Sequence, residues 1–143
     1  MTGIKHIFMD TNVVIDFLAN RQPFSLDAAR LFNITLSKKA IIYISAVSYN
    51  NIYYILRRSV SSDSAIKLLI ELADMTEIID VTRLVVRQAL KSGFKDYEDA
   101  IQYYCALSSG NIDFIVTMDT KDFKKSTLSV MTPSEAVSSL GIA

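Results

Sequence analysis

Three aspartates stand where alternating strands and helices would bring carboxylates together: Asp10 follows an apolar strand directly, Asp99 lies near a helix start, and Asp119 comes just after a second apolar strand. Two carboxylates about 5 Å apart repel by roughly 3 kcal/mol at an effective dielectric of ~20, so grouping them without a cation raises a pKa or weakens the fold. A hard divalent cation removes that penalty. The chain has one His and one Cys, so the donors are oxygens, which suit Mg²⁺ or Mn²⁺ with several waters kept better than Zn²⁺. Each acid also has a plainer reading. Asp96 and Asp99, three apart on one helix face, make a cap and helix-dipole pair, and Asp119 makes a loop acid. It is the conjunction of three separate segments that points to a metal.

The elements that must position these acids are legible from local patterns. Ile4 to Met9 reads as a buried strand, followed by Asp10-Thr11-Asn12 and a helix from Val13 to Leu18. Ser25 is expected to cap a helix running to about Ser37, Ala40 to Ile44 forms a second strand, and Ser45 or Ser48 caps a helix through Arg58. A helix from about Ser62 to Ala73 leads into a strand over Glu77 to Val81, and Thr82 caps a helix that Gly93 stops. Asp96 caps the helix that carries Asp99 and ends at Gly110; strands follow at Phe114 to Val116 and Leu128 to Met131. Thr132-Pro133-Ser134-Glu135 combines an N-cap, a first-turn proline and a capping-box glutamate. Short apolar strands alternating with helices imply a mostly parallel sheet covered on both faces. In such sheets ligands bind at the carboxyl ends of the strands, where Asp10 and Asp119 fall.

Composition narrows the function classes. Half of the 143 residues are apolar and 21% are charged, which suits one globular domain. No apolar run approaches the ~20 residues of a membrane span and no signal peptide is evident, so a cytoplasmic protein is expected. Cys105 reads as a core residue and His6 as a strand-edge residue. Fifteen basic side chains balance fifteen acidic ones, so any nucleic-acid contact must be local.

Phe8-Met9-Asp10-Thr11-Asn12, Tyr97-Glu98-Asp99-Ala100, Thr117-Met118-Asp119 and the closing Thr132-Pro133 follow the order and spacing of PIN domains, and the chain resembles that family over essentially its whole length. Small bacterial VapC-type toxin ribonucleases are among the proteins it resembles. The resemblance implies a single three-layer αβα domain over residues 1–143 with a central sheet of four to five strands. It implies that Asp10, Asp99 and Asp119 are catalytic and, with Asp96, hold Mg²⁺ or Mn²⁺. Asp122, Thr11, Asn12 and Thr117 would support them. Asn51 occupies the place where the family usually carries a Glu; an amide can present an oxygen to a metal but supplies no charge and cannot act as a base. Glu98, about 100° from Asp99 on the helix, reads as a poor substitute.

Lys121, Lys124 and Lys125 follow Asp119 closely enough to meet an RNA backbone. The implied activity is a metal-dependent endoribonuclease cutting single-stranded or looped RNA, as the toxin of a toxin-antitoxin pair. An antitoxin partner and a homodimer, the latter through the apolar helix Ile52 to Leu56, are further implications. A different class is an RNA- or protein-binding module on a catalytically weakened PIN fold. A third is phosphoryl transfer with Asp10 as nucleophile, for which Asn12 stands where a second Asp would be wanted.

Overall fold

In a computed structural model the described residues are 3–141. The chain runs β1 (Lys5–Met9), α1 (Thr11–Leu18), α2 (Ser25–Leu36), β2 (Ala40–Ser45), α3 (Ala46–Leu56), α4 (Ser62–Met75), β3 (Glu77–Ile79), α5 (Arg83–Leu90), α6 (Tyr97–Ser109), β4 (Phe114–Val116), a 3-10 turn (Thr120–Phe123), β5 (Ser129–Met131) and α7 (Pro133–Ser139). Among the described residues no helix is long and apolar enough to cross a membrane.

The sheet order is β3-β2-β1-β4-β5, and every neighbouring pair is parallel. Ile7, Phe8 and Met9 are all fully buried, as strands covered on both faces require. Strand alternation sends them to opposite sides. Ile7 and Met9 pack with Val14, Leu31, Ile52 and Leu72 from α1 to α4, whereas Phe8 packs with Val85 and Ala100 from α5 and α6. The sheet is thus the middle of three layers, the αβα fold the sequence implies.

From β1 the chain steps outward to β2 and β3, then returns across the sheet to β4 and β5. The order reverses between β1 and β4, which opens a crevice at their carboxyl ends. Asp10 follows β1 and Thr117 to Asp119 follow β4, so the reversal sets two of the acidic segments side by side. Asp96 Oδ1 accepts the Asp99 N–H at 3.1 Å and caps α6. At the far end Gly110 takes φ +76, a left-handed value glycine tolerates, and stops the helix. The capping box at α7 is complete: Thr132 Oγ1 accepts the Glu135 N–H at 3.1 Å, and Glu135 accepts the Thr132 N–H at 2.9 Å.

Several boundaries differ from expectation. Ser25 is not a cap; it is the buried first residue of α2, its N–H bonded to the Arg21 carbonyl, and Phe24 before it is already helical at φ −75 and ψ −25. A folded turn therefore feeds α2, leaving no extended capping residue. Ser45 holds the cap position of α3 without a capping bond because its hydroxyl pairs with Ser48. β3 stops at Ile79, two residues short of Val81. Ile52 and Leu56 are core residues, leaving Tyr54 as the exposed side chain of that stretch.

Candidate metal centre

Asp10 leaves β1 in an extended conformation and caps α1, with only 6% of its surface exposed. Its Oδ1 accepts the Thr11 N–H at 2.9 Å and its Oδ2 accepts the Thr117 hydroxyl at 2.8 Å. Thr117 is fully buried, and its Oγ1 in turn accepts the Asp119 N–H at 3.1 Å. The carboxylate is thereby locked to the ends of both central strands. Burial pushes its pKa up; the Thr117 and Thr11 bonds oppose that, and the charges of Asp119 and Asp122 add to it.

Asp99, in the first turn of α6, is pushed up to about 7, first by burial and then by the charges of Asp10, Asp96, Asp122 and Asp119. All five aspartates therefore share one electrostatic neighbourhood. A cleft of about 280 Å³ joins Asp10 and Asp99 to Thr11, Asn12, Asn51 and Gln102. Tyr54, which is 66% exposed, and Glu98 border it too. The helical offset of Glu98 thus does not remove it from the cleft, because at the first turn of α6 a long side chain reaches the rim.

Among the described residues the only ion pairs are Arg21–Asp16 and Arg30–Asp27. Among the described residues no lysine or arginine stands within ion-pair distance of the acidic group. Among the same residues no three His, Cys, Asp or Glu side chains stand close enough to enclose an ion. Such enclosure is not what Mg²⁺ requires, since it keeps several waters and binds through one or two carboxylates. Asp10 and Asp99, on one cleft, charge-coupled and without a protein cation, fit that description.

Asp119 is coupled to both without lining the cleft. Asp96 and Asp122 line a neighbouring hollow of about 460 Å³ together with Lys95, Lys121 and Lys124. Lys125 borders it as well, but its Nζ donates to the Gly93 carbonyl at 2.9 Å and so fastens the loop before α6. Gly93 has φ +74, and a Cβ there would meet that Nζ at 2.9 Å. His6 and Cys105 lie elsewhere. His6 pairs through Nδ1 with the Tyr43 hydroxyl at 2.8 Å, and the buried Cys105 thiol is pushed up to about 12, mainly by burial.

The sequence points to Ser48 only as an alternative cap and singles out neither Lys95 nor Gln102. The available signal for Gln102 was its spacing, one turn beyond Asp99 on the same face of α6.

Residues 6–121 match the family model described as PIN domain, and the chain belongs to the PIN-domain family. No curated protein sequence matches it significantly. Solved structures with the same fold include DNA-bound VapBC from Salmonella typhimurium, at 16% identity and TM-score 0.67 over 91% of this chain and 99% of that one. VapBC2 from Rickettsia felis, bound to a fragment of its promoter, is 18% identical at TM-score 0.64 over 89% and 98%. VapC20 from Mycobacterium tuberculosis, described as a sarcin-ricin loop cleaving toxin, is 20% identical at TM-score 0.62 over 76% and 86%.

Proposed function

We propose that this PIN domain is a Mg²⁺- or Mn²⁺-dependent endoribonuclease cutting single-stranded or looped RNA, acting as the toxin of a toxin-antitoxin pair. The observation that carries the reading is the pairing of buried Asp10 with Asp99 on one cleft, with no lysine or arginine among the described residues within ion-pair distance of either.

A bound divalent cation would supply a lowered pKa for water and a countercharge for the phosphate. Asp10, held by Thr11 and Thr117 as an acceptor of two hydrogen bonds, serves as the fixed anionic ligand. Asp99, its carboxyl raised to about 7, would be the second ligand in its deprotonated form. Asp119 adds negative charge beside them, and Asn51 offers an amide oxygen at the cleft. Lys95, Lys121 and Lys124 in the adjoining hollow meet the RNA phosphates, and exposed Tyr54 is available to stack on an unpaired base. The toxin-antitoxin complexes among the structural relatives support an antitoxin partner for this chain.

Asn51 favours a second reading, in which a neutral ligand leaves the domain as an RNA- or protein-binding module. The deciding experiment is cleavage of a mixed-sequence, end-labelled single-stranded RNA with Mg²⁺ or Mn²⁺ by the native chain, Asp99→Asn and Asn51→Glu. Metal-dependent cleavage lost in Asp99→Asn is the expected result. RNA binding without cleavage by the native chain at any Mn²⁺ concentration, with cutting gained in Asn51→Glu, would establish the module instead.

A further inference from the structure

Seven polar or charged side chains are buried among the described residues, and five of them, Asp10, Ser45, Ser48, Gln102 and Thr117, gather around the acidic cleft. Thr117 serves Asp10 directly. The others form a separate neutral network behind the cleft. Gln102 Nε2 donates to Ser48 Oγ at 3.0 Å and to Thr11 Oγ1 at 3.3 Å; Thr11 and Ser48 share a hydrogen bond of 2.6 Å, and Ser45 and Ser48 one of 2.8 Å.

This network joins the three helices that carry the candidate ligands. Gln102 lies one turn beyond Asp99 on α6, Thr11 is the residue whose N–H holds Asp10 at the start of α1, and Ser48 lies one turn before Asn51 on α3. Gln102 is the one side chain on α6 that bonds to both of the other helices within it. The amide is only half satisfied by that tie. Gln102 Oε1 is the only buried side-chain polar atom without a partner among the described residues, and an unpaired buried acceptor is unfavourable. Thr11, Ser45 and Ser48 would remain bonded to one another if the amide were replaced by an apolar side chain of similar length.

We infer that Gln102 is a positioning residue: through Thr11 and Ser48 it fixes Asp99 against Asp10 and Asn51 at the separation a divalent cation needs. The inference rests on the proposed metal site. Groups that orient ligands without touching the ion commonly change metal affinity by ten-fold or more when removed, even where the fold survives.

The test is Mn²⁺ binding by calorimetry to the full chain, alongside melting in chelator, for the native protein, Gln102→Met, Ser48→Ala and the double variant. Gln102→Met is expected to melt in chelator at or above the native temperature and to weaken Mn²⁺ binding about ten-fold. Because both residues act through one tie, the double variant should bind no more than about two-fold more weakly than the poorer single variant. Should Gln102→Met not fold, Ser48→Ala probes the tie from its other end, with the same loss of affinity expected. Native affinity in Gln102→Met, or in Ser48→Ala where it stands alone, overturns the inference and leaves the metal site intact. Multiplicative losses in the double variant overturn it too, since the residues would then act independently. A native chain that binds no Mn²⁺ overturns the metal site and this inference together.

Discussion

Replacing Asp99 by Asn should stabilise the metal-free chain at pH 8 and do so by a smaller margin at pH 5. The Asp99 carboxyl is raised to about 7 from its ordinary 3.8, by burial first and then by Asp10 and the three other acids. Between those values the folded state holds a proton that the unfolded chain releases. The contribution of Asp99 to stability is therefore fully present below pH ~3.8, is lost as pH rises through about 7, and stays lost above it. Taken at face value the gap corresponds to about 4 kcal/mol. Asp99 is only partly buried, and solvent screening leaves about 1.5 kcal/mol of that. Removing an acid from the first turn of α6 gives back about 0.5 kcal/mol through the helix dipole. The net gain of about 1 kcal/mol raises the Tm by roughly 3 °C for a domain of this size. At pH 5 only about a third of the span between the unfolded and folded values has been crossed, so Asn, a near-isostere of the protonated side chain, recovers correspondingly less. The assay is calorimetric or fluorescence melting in chelator at both pH values. A variant that melts below the native chain at pH 8, or by the same margin at both pH values, would refute the electrostatic account of the site.

Mn²⁺ affinity of the native chain should fall about ten-fold per pH unit below 7, as protons compete for Asp99; a flat profile from pH 8 to 5.5 in calorimetric titration would contradict this. Asn51→Glu should tighten Mn²⁺ binding at least ten-fold while lowering the chelated Tm at pH 8, and unchanged affinity would remove Asn51 from the ligand set. Lys121→Ala and Lys124→Ala should each weaken single-stranded RNA binding and reduce the slope of log K against log salt by about 0.7, read by anisotropy across a salt series; an unchanged slope would count against a phosphate contact. Thr132→Ala, which breaks the α7 capping box, should lower the Tm by about 3 °C with or without Mn²⁺ and equally at pH 6 and pH 8, above the titration of Glu135, and a loss that differs between those two pH values would mean that α7 is coupled to the acidic site.

Most of the fold was legible because its signals are local. Thr132-Pro133-Ser134-Glu135 contains every atom of its capping box, and Ile7-Phe8-Met9 declares burial on both faces without reference to any distant residue. Asp10 and Asp119 could be assigned to one edge because parallel topology fixes where strand ends lie. What could not be read depends on the third dimension. Ser25 looks like a cap until the preceding turn is seen to be folded already. Gln102, 91 residues from its partner Thr11, is an ordinary helical glutamine until α1, α3 and α6 converge. The same separation hid the division of the lysines, in which Lys125 fastens a loop while Lys121 and Lys124 line a hollow with Lys95.

The division between charged and neutral groups at the site carries the chemical argument. Among the described residues the groups hydrogen-bonded to the Asp10 carboxylate are neutral: the Thr11 amide and the Thr117 hydroxyl. The network behind Asp99 is neutral as well, and Asn51 replaces a charge with an amide at the cleft. A lysine in any of these places would balance the acids permanently and close the site to a cation. With none within ion-pair distance among the described residues, the charge of Asp10 and Asp99 is left to be met from solution, by a proton or, on the proposed function, by a metal. On the proposed function, the raised Asp99 carboxyl would set the pH at which one displaces the other. On the proposed function, a neutral Asn51 would weaken both competitors relative to a carboxylate at that position, at a cost in metal affinity, while sparing the metal-free domain another repulsion of the kind that raises Asp99.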